Sequence, residues 1–282
     1  MIYLESFQPN MDGRHVYPWR VLCPMQLEHI EFAPITIFYG NNGSGKSTLL
    51  NVIANRIGIR NKTMGNTNEY FDGYVSKCTF TLNGKRIPID STLIRSEDIM
   101  ADIVESRCKF EQMMNEIKKD NLMVKNGISR ETVNNALFGL DLVDPDEYSF
   151  LSRYEDFVAL KTRLTESSDM RSNGEKALDY FKEHLFEDGL FMLDEPENSM
   201  APSFQQELAK EIAILAYRLN SQFVIATHSP FILSLEGARI YDLDSRPTQI
   251  RQWYELENMS AYYKLFKRFE KKFGPKFGPL DK

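Results

Sequence analysis

The chain is short of cysteine and histidine, and each shortage excludes something. Its three cysteines, Cys23, Cys78 and Cys108, are far apart and odd in number, so they suit neither a disulfide scaffold nor a metal cluster. That usage predicts a reducing compartment, with the cytoplasm as the expected location. The four histidines, His15, His29, His184 and His228, show no zinc-site spacing. No apolar run approaches the roughly 18 residues of a membrane span, so no integral membrane segment is expected. Met1-Ile2-Tyr3-Leu4-Glu5 lacks the basic head and apolar core of a signal peptide. A long heptad arm is also missing, which excludes a coiled-coil tether. Positive charge is in deficit: 34 Lys and Arg against 40 Asp and Glu give a net charge of −6. That balance argues against broad coating of nucleic acid. Only the C-terminal end is basic, through Lys264, Lys267, Arg268, Lys271, Lys272, Lys276 and Lys282. It reads as a solvated amphipathic helix with a loose end.

What is present is ordinary in bulk and specific in places. A chain of 282 residues, 42% hydrophobic and 26% charged, suits one large domain or a core with a sizeable insertion. The organising stretch is Gly40-Asn41-Asn42-Gly43-Ser44-Gly45-Lys46-Ser47, a complete G-x-x-x-x-G-K-[ST] pattern. Ile35 to Tyr39 before it reads as a strand, and Thr48 to Ala54 after it as a helix. In that context glycines let the backbone N–H groups from Asn41 to Thr48 curl around phosphate oxygens, at a helix end that favours anions. Lys46 is placed to reach the β- and γ-phosphates of a nucleotide, and the Ser47 hydroxyl to ligate Mg²⁺.

Earlier and later stretches build around this loop. Ile2 to Phe7, Val16 to Val21 and Met25 to Phe32 predict a small antiparallel sheet, with Arg14, Tyr17, Trp19 and Arg20 as candidates to contact a nucleotide base. Residues 56–71 read as a loop. Asp72 to Leu82 and Lys85 to Ile89 flank Asn83-Gly84 as a hairpin, and Thr92 to Arg95 forms a further strand, followed by Ser96-Glu97-Asp98 as the cap of the next helix. From residue 99 to about 165, apolar residues recur at helical spacing and predict an inserted helical lid. Leu190 to Leu193 is a buried strand that delivers two carboxylates. Asp194 is the candidate Mg²⁺ ligand, and Glu195 the candidate polariser of an attacking water. A helix is expected over Pro202 to Leu219, then a strand over Ser221 to Thr227 that delivers His228 to the same edge. Its neutral imidazole suits hydrogen bonding to a γ-phosphate or the water. Ala238 to Leu243 and Thr248 to Tyr254 predict a terminal hairpin, and Ser260 to Phe273 a last helix.

Taken together, these motifs resemble the ATP-binding-cassette ATPase superfamily, in the branch of soluble chromosome-maintenance and repair ATPases. Small stand-alone relatives in that branch are often called AAA family ATPases although they form no rings. The resemblance rests on Gly40 to Ser47, Asp194-Glu195 and His228, with Arg171-Ser172-Asn173-Gly174-Glu175 similar to the family's Leu-Ser-Gly-Gly-Gln signature. It covers residues 1–50 and 168–245. It implies an α/β P-loop NTPase fold of the ABC-ATPase type, with a mostly parallel core sheet, an N-terminal antiparallel sheet and the helical lid. The implied division is an N-terminal lobe over 1–98, a lid region over 99–170, a C-terminal lobe over 171–257, and a helix and tail over 258–282. It implies an ATPase using ATP and Mg²⁺, with Lys46, Glu195 and His228 catalytic. It also implies a homodimer that sandwiches two ATP, each covered by Ser172 and Gly174 of the other copy, and acts as a switch on DNA or an effector protein. The sequence departs from the family at the loop Ser199-Met200-Ala201, which lacks the usual aspartate, and at a Mg²⁺-touching glutamine, which is missing. Ser96, Glu97 and Asp98 are the stand-ins, with Glu97 the metal-ligand candidate. A transporter's nucleotide-binding subunit and an ATP-responsive scaffold with negligible turnover are the alternative functions.

Overall fold

The apolar runs at 35–39, 190–194 and 222–226 become the adjacent centre of one sheet. The computed structural model describes residues 2–13, 15–61, 67–84, 86–120 and 172–273. In chain order the elements are β1 (Leu4–Gln8), α1 (Trp19–Leu22), β2 (Ile30–Glu31), β3 (Ile35–Tyr39), α2 (Lys46–Ile57), β4 (Arg60–Asn61), α3 (Phe71–Val75), β5 (Thr79–Leu82), β6 (Thr92–Arg95) and α4 (Ser96–Asp120). After residues 121–171 come α5 (Asn173–His184), β7 (Leu190–Asp194), α6 (Pro202–Arg218), β8 (Gln222–Ala226), α7 (Pro230–Leu233), β9 (Arg239–Asp242), β10 (Gln249–Arg251), α8 (Glu257–Arg268) and α9 (Glu270–Phe273). The chain divides into two compact units, Met1–Asp98 with Tyr180–Lys282, and Ile99–Asp179. Most of the expected lid, and the loose tail, lie outside the described residues. The described part of the second unit is helical, in α4 and the start of α5.

The first unit holds both sheets. Seven strands run in the order β10-β9-β3-β8-β7-β6-β4, all neighbours parallel except the antiparallel pair β9–β10. Every residue of β3, β7 and β8 is buried, as expected for parallel strands covered on both faces. A three-stranded antiparallel sheet, β2-β1-β5, completes the unit. The mostly parallel core sheet, the N-terminal antiparallel sheet and the C-terminal hairpin are therefore as the sequence predicts.

Three local expectations are corrected. Val16 to Val21 is not a strand. Pro18 caps α1, where its fixed φ is compatible with a helical turn, and Trp19 and Leu22 bury on one face. Trp19 packs edge-on to Tyr74, with ring centroids 4.8 Å apart. Among the described residues 86–91 make no returning hairpin arm: β5 pairs with β1 instead, through Phe7↔Phe80, and Ile89 is exposed. Pro88 in that stretch could not donate to a ladder. The last helix begins earlier, at Glu257, and breaks at Phe269 into α8 and α9.

The two sheets are stitched by one buried amide. The Gln222 Oε1 accepts the N–H groups of Tyr3 and Leu4 at 2.8 and 2.9 Å, while its Nε2 donates to the carbonyls of Leu4 and Ala33 at 2.9 and 3.2 Å. The side chain is wholly buried, so each lost partner would leave a polar group unpaired out of water. Gln222→Leu is expected to cost about 2–5 kcal/mol, read as a lowered urea midpoint. An unchanged midpoint would contradict this role.

Candidate functional site

The parallel register brings five strand ends to one edge. Arg95 lies opposite Asp194, Asp194 opposite Ala226, Ala226 opposite Phe38, and Phe38 opposite Tyr241. The loops that leave this row carry the chemistry, as expected at the carboxyl ends of an open parallel sheet. After β3 the chain enters the phosphate loop, which needs left-handed backbone at Gly43 (φ 81°) and at Gly45 (φ 98°), the cap of α2. A Cβ on Gly45 would also run into Met25 Cε and Val21 Cγ1, so α1 and the turn after it form a floor under the loop. Its crest is open: Asn41, Asn42, Gly43 and Ser47 are exposed. Ser44 Oγ is buried without a hydrogen-bond partner. An exposed crest of N–H groups above a helix start is what a phosphate chain requires.

Lys46 begins α2 and is 4% exposed. Its Nζ donates to Gly40 O at 2.8 Å, to Asn41 O at 3.4 Å and to His228 Nε2 at 2.8 Å, and Glu195 Oε1 stands 3.7 Å away. An ammonium can donate only to an unprotonated nitrogen, so His228 is neutral with its proton on Nδ1. Burial, and then the Lys46 charge, lower the His228 pKa from its usual value, against the pull of Glu195 and Asp244. Next to Lys46, Ser47 Oγ donates to Asp194 Oδ1 at 3.0 Å. Asp194 is raised from 3.8 to about 6, chiefly by burial and further by Glu195 and Glu97, against the Ser47 hydrogen bond and Arg95.

Glu195 leaves the strand in left-handed backbone, φ 49°, which turns its side chain away from the direction of Asp194. Its N–H donates to Ala226 O at 2.8 Å, and its Oε2 accepts from Asn198 Nδ2 at 3.1 Å. The structure thus brings Lys46, Ser47, Asp194, Glu195 and His228 to one place from three strand ends. Among the described residues no three His, Cys, Asp or Glu side chains form a metal cluster. Mg²⁺ does not need one, because it is held by few protein oxygens together with phosphate and water. The crowded, raised Asp194 beside the Ser47 hydroxyl fits such a cation.

Three participants carried no clear sequence signal. Glu197 accepts the backbone N–H groups of His228 and Ser229 on Oε1, at 2.5 and 3.0 Å, and so holds the histidine turn. Its position two residues after Glu195 was the one available hint. Arg95, 7% exposed, donates from Nη2 to Asn51 Oδ1 at 2.9 Å and sits beside Asp194 by strand register. A charged residue closing an apolar strand could have marked it. Asp244 accepts the Asn41 N–H on Oδ2 at 2.8 Å, from 203 residues away, which no local pattern could show.

Other expected residues lie elsewhere. Glu97 is exposed in the first turn of α4, and only its charge reaches Asp194. Asp98 caps that helix by accepting the Arg95 N–H at 2.9 Å. Tyr17 stacks on Phe71, Trp19 is core, Arg20 is exposed, and Arg14 lies outside the described residues. In the second unit, Ser172 and Glu175 form a reciprocal capping box: Ser172 N–H donates to Glu175 Oε2 at 2.8 Å and Glu175 N–H to Ser172 Oγ at 3.3 Å. Gly174 is buried in the first turn of α5, and Arg171 lies outside the described residues.

Residues 111–234 match the family model described as "AAA domain, putative AbiEii toxin, Type IV TA system". That span contains Asp194, Glu195 and His228 and leaves the phosphate loop outside it. No curated protein matches the sequence. Among solved structures, an Smc head domain from Pyrococcus furiosus bound to the C-terminal domain of ScpA is 15% identical, covering 95% of this chain and 99% of that one, with a TM-score of 0.44. The SMC head domain from Thermotoga maritima is 13% identical, covering 89% and 99%, at 0.37. A nucleotide-free ATP-binding cassette from an ABC transporter is 17% identical, covering 93% and 96%, at 0.41. At such identities and scores these likenesses carry no argument about activity or partners.

The Asp194 environment sets a pH dependence. Its carboxyl has a higher pKa folded than unfolded, so it favours folding below about pH 4 and disfavours it as pH rises through 6. Asp194→Asn keeps an oxygen for Ser47 and removes the buried charge. Without metal at pH 7.5 it should be more stable than the parent by up to about 3 kcal/mol. The gain should shrink to a fraction at pH 4, as measured by urea unfolding at both values.

Proposed function

We propose that the chain is an ABC-type P-loop ATPase of the chromosome-maintenance kind, which binds ATP with Mg²⁺ and hydrolyses it to ADP and phosphate. The observation that carries the reading is the convergence of Lys46 Nζ on His228 Nε2 and Glu195, next to the Ser47–Asp194 hydrogen bond. Mg²⁺-ATP, when bound, supplies the cation charge and the electrophilic γ-phosphoryl group. The N–H groups of Asn41 to Thr48 would hold the phosphates, and Ser47 with Asp194 the cation. Glu97 would stand outside that pair as a further carboxylate. Lys46 would exchange its present acceptors for phosphate oxygen. Glu195, turned out of the strand by its positive φ, would orient the attacking water and draw its proton. His228, neutral and fixed by Glu197, would donate or accept at the γ-phosphate.

The proposed regulation is a homodimer in which each ATP is covered by Ser172 and Gly174 of the second copy. In this reading residues 1–98 and 171–257 form the ATPase lobes, 99–170 the lid and 258–282 an appended helix and tail. The paired state would act on DNA or an effector protein, in the cytoplasm. No helix among the described residues is long and apolar enough to cross a membrane.

Glu195→Gln should lower ATP turnover by about 10²–10⁴-fold while an ATP-bound dimer accumulates, measured by phosphate release and sedimentation. Undiminished turnover with no ATP-stabilised dimer would overturn the proposal. Glu197→Ala should lower turnover with nucleotide affinity little changed, and Glu197→Gln, which keeps an acceptor oxygen, should recover most of it. Equal loss in both variants would exclude a positioning role.

A further inference from the structure

The basic C-terminal helix takes no part in the nucleotide site. Its first turn is anchored, with Leu256 and Met259 buried and the Asn258 N–H donating to Tyr39 Oη at 3.3 Å. From Ala261 to Arg268 every residue is exposed. Tyr262, Tyr263, Leu265 and Phe266 therefore stand in water, Tyr263 at 63% exposure. Where α8 meets α9, Leu265, Phe266, Phe269, Lys272 and Phe273 line an apolar groove of about 390 Å³. Lys264, Lys267, Arg268, Lys271 and Lys272 outweigh Glu257 and Glu270 in these two helices. Single exposed apolar residues are common, but a contiguous group of rings on a projecting helix marks an interaction surface.

A surface of opposite character lies at the other end of the core sheet. There the turn before β7 and the end of α6 expose Phe186, Ile214, Tyr217 and Leu219. Glu187, Asp188 and Glu236 are exposed beside them, with Arg218 as the basic residue in their midst. They form one continuous patch. Asp188 N–H donates to Leu219 O at 3.0 Å, Tyr217 Oη to Glu236 O at 2.7 Å, and Ser221 Oγ to Phe186 O at 2.7 Å.

We infer that α8 and α9 of one copy dock on this acidic, apolar patch of a second copy. Both surfaces are apolar, and their charges are opposite, which suits them to each other. The helix springs from beside Tyr39, at the carboxyl end of β3, whereas the patch precedes the amino ends of β7 and β8. A chain's own patch is thus at the opposite edge of its sheet, and a neighbouring molecule's patch is the complementary one. Such a contact is head-to-tail, so it builds a ring or an open chain rather than closing on itself as a pair. It is independent of the nucleotide-dependent pairing proposed above and needs no ATP. Because the whole molecule carries net charge −6, the attraction is local and salt should weaken it.

The test is sedimentation of the full chain without nucleotide, at low and high salt. At low salt the parent should show a mass of at least twice the 32.8 kDa monomer, falling to the monomer at high salt. Reversing the helix charge, with Lys264→Glu, Lys267→Glu and Lys271→Glu, should leave a monomer at both. Reversing the patch charge, with Glu187→Lys, Asp188→Lys and Glu236→Lys, should do the same. All six together restore opposite charges with inverted sign, and assembly should return. Unchanged urea midpoints for the variants would show that each is folded. A parent that is monomeric at low salt overturns the inference. So does assembly that survives either reversal, or a six-fold variant that stays monomeric. Retention of short duplex DNA or of anionic phospholipid vesicles by a non-assembling parent would also overturn it, assigning the helix to another partner.

Discussion

The Lys46 ammonium is almost wholly out of water, and a charge so placed needs acceptors around it. None of its acceptors comes from α2, the helix that carries it. Two are carbonyls of the loop leaving β3, one is the histidine after β8, and the nearby carboxylate is the glutamate after β7. They can surround one point only because β3, β8 and β7 are parallel neighbours whose ends lie level. The sheet order is therefore more than a scaffold beneath the site. A slip of one residue between β7 and β8 would carry Glu195 and His228 apart and turn their side chains to the other face.

The loops after β7 and β8 are also tied to each other directly. Glu195 N–H reaches back to the Ala226 carbonyl, and Glu197 holds the backbone of His228 and Ser229. Ser229 Oγ then donates to Gln205 Oε1, whose amide nitrogen donates to Met200 O at the entry to α6. Carboxylate loop, histidine turn and helix start thus share one hydrogen-bonded frame. A displacement of His228 would be felt at the first turn of α6, which gives the site a rigid mechanical link to a surface helix.

Much of this was legible in the sequence, for a reason that particular residues show. Gly40 to Ser47, the apolar runs ending in Asp194 and Ala226, and the capping pair Ser172 and Glu175 are local patterns. Their geometry is set within a few residues. What the sequence did not reveal depends on distant partners. Gln222 meets Tyr3 and Leu4 across more than 200 positions, and Asp244 meets Asn41 across 203. The same cause turned Val16 to Val21 from a strand into a helical turn, because Tyr74 and the phosphate loop offered Trp19 and Met25 a place to pack. It also left Arg86 to Ile89 without a strand, because β1 was already taking the pairing edge of β5.

The crowding at Gly45 bears on how such a loop can be inherited. Its octapeptide pattern is compact and could be copied onto many strand–helix junctions. In this chain, however, Val21 and Met25 press against the very carbon that lacks a side chain. The loop and the segment beneath it are fitted to each other, and a change in either constrains what the other can become. Descent with modification would move them as a pair, so the phosphate loop here is less a portable cassette than one half of a co-adapted joint.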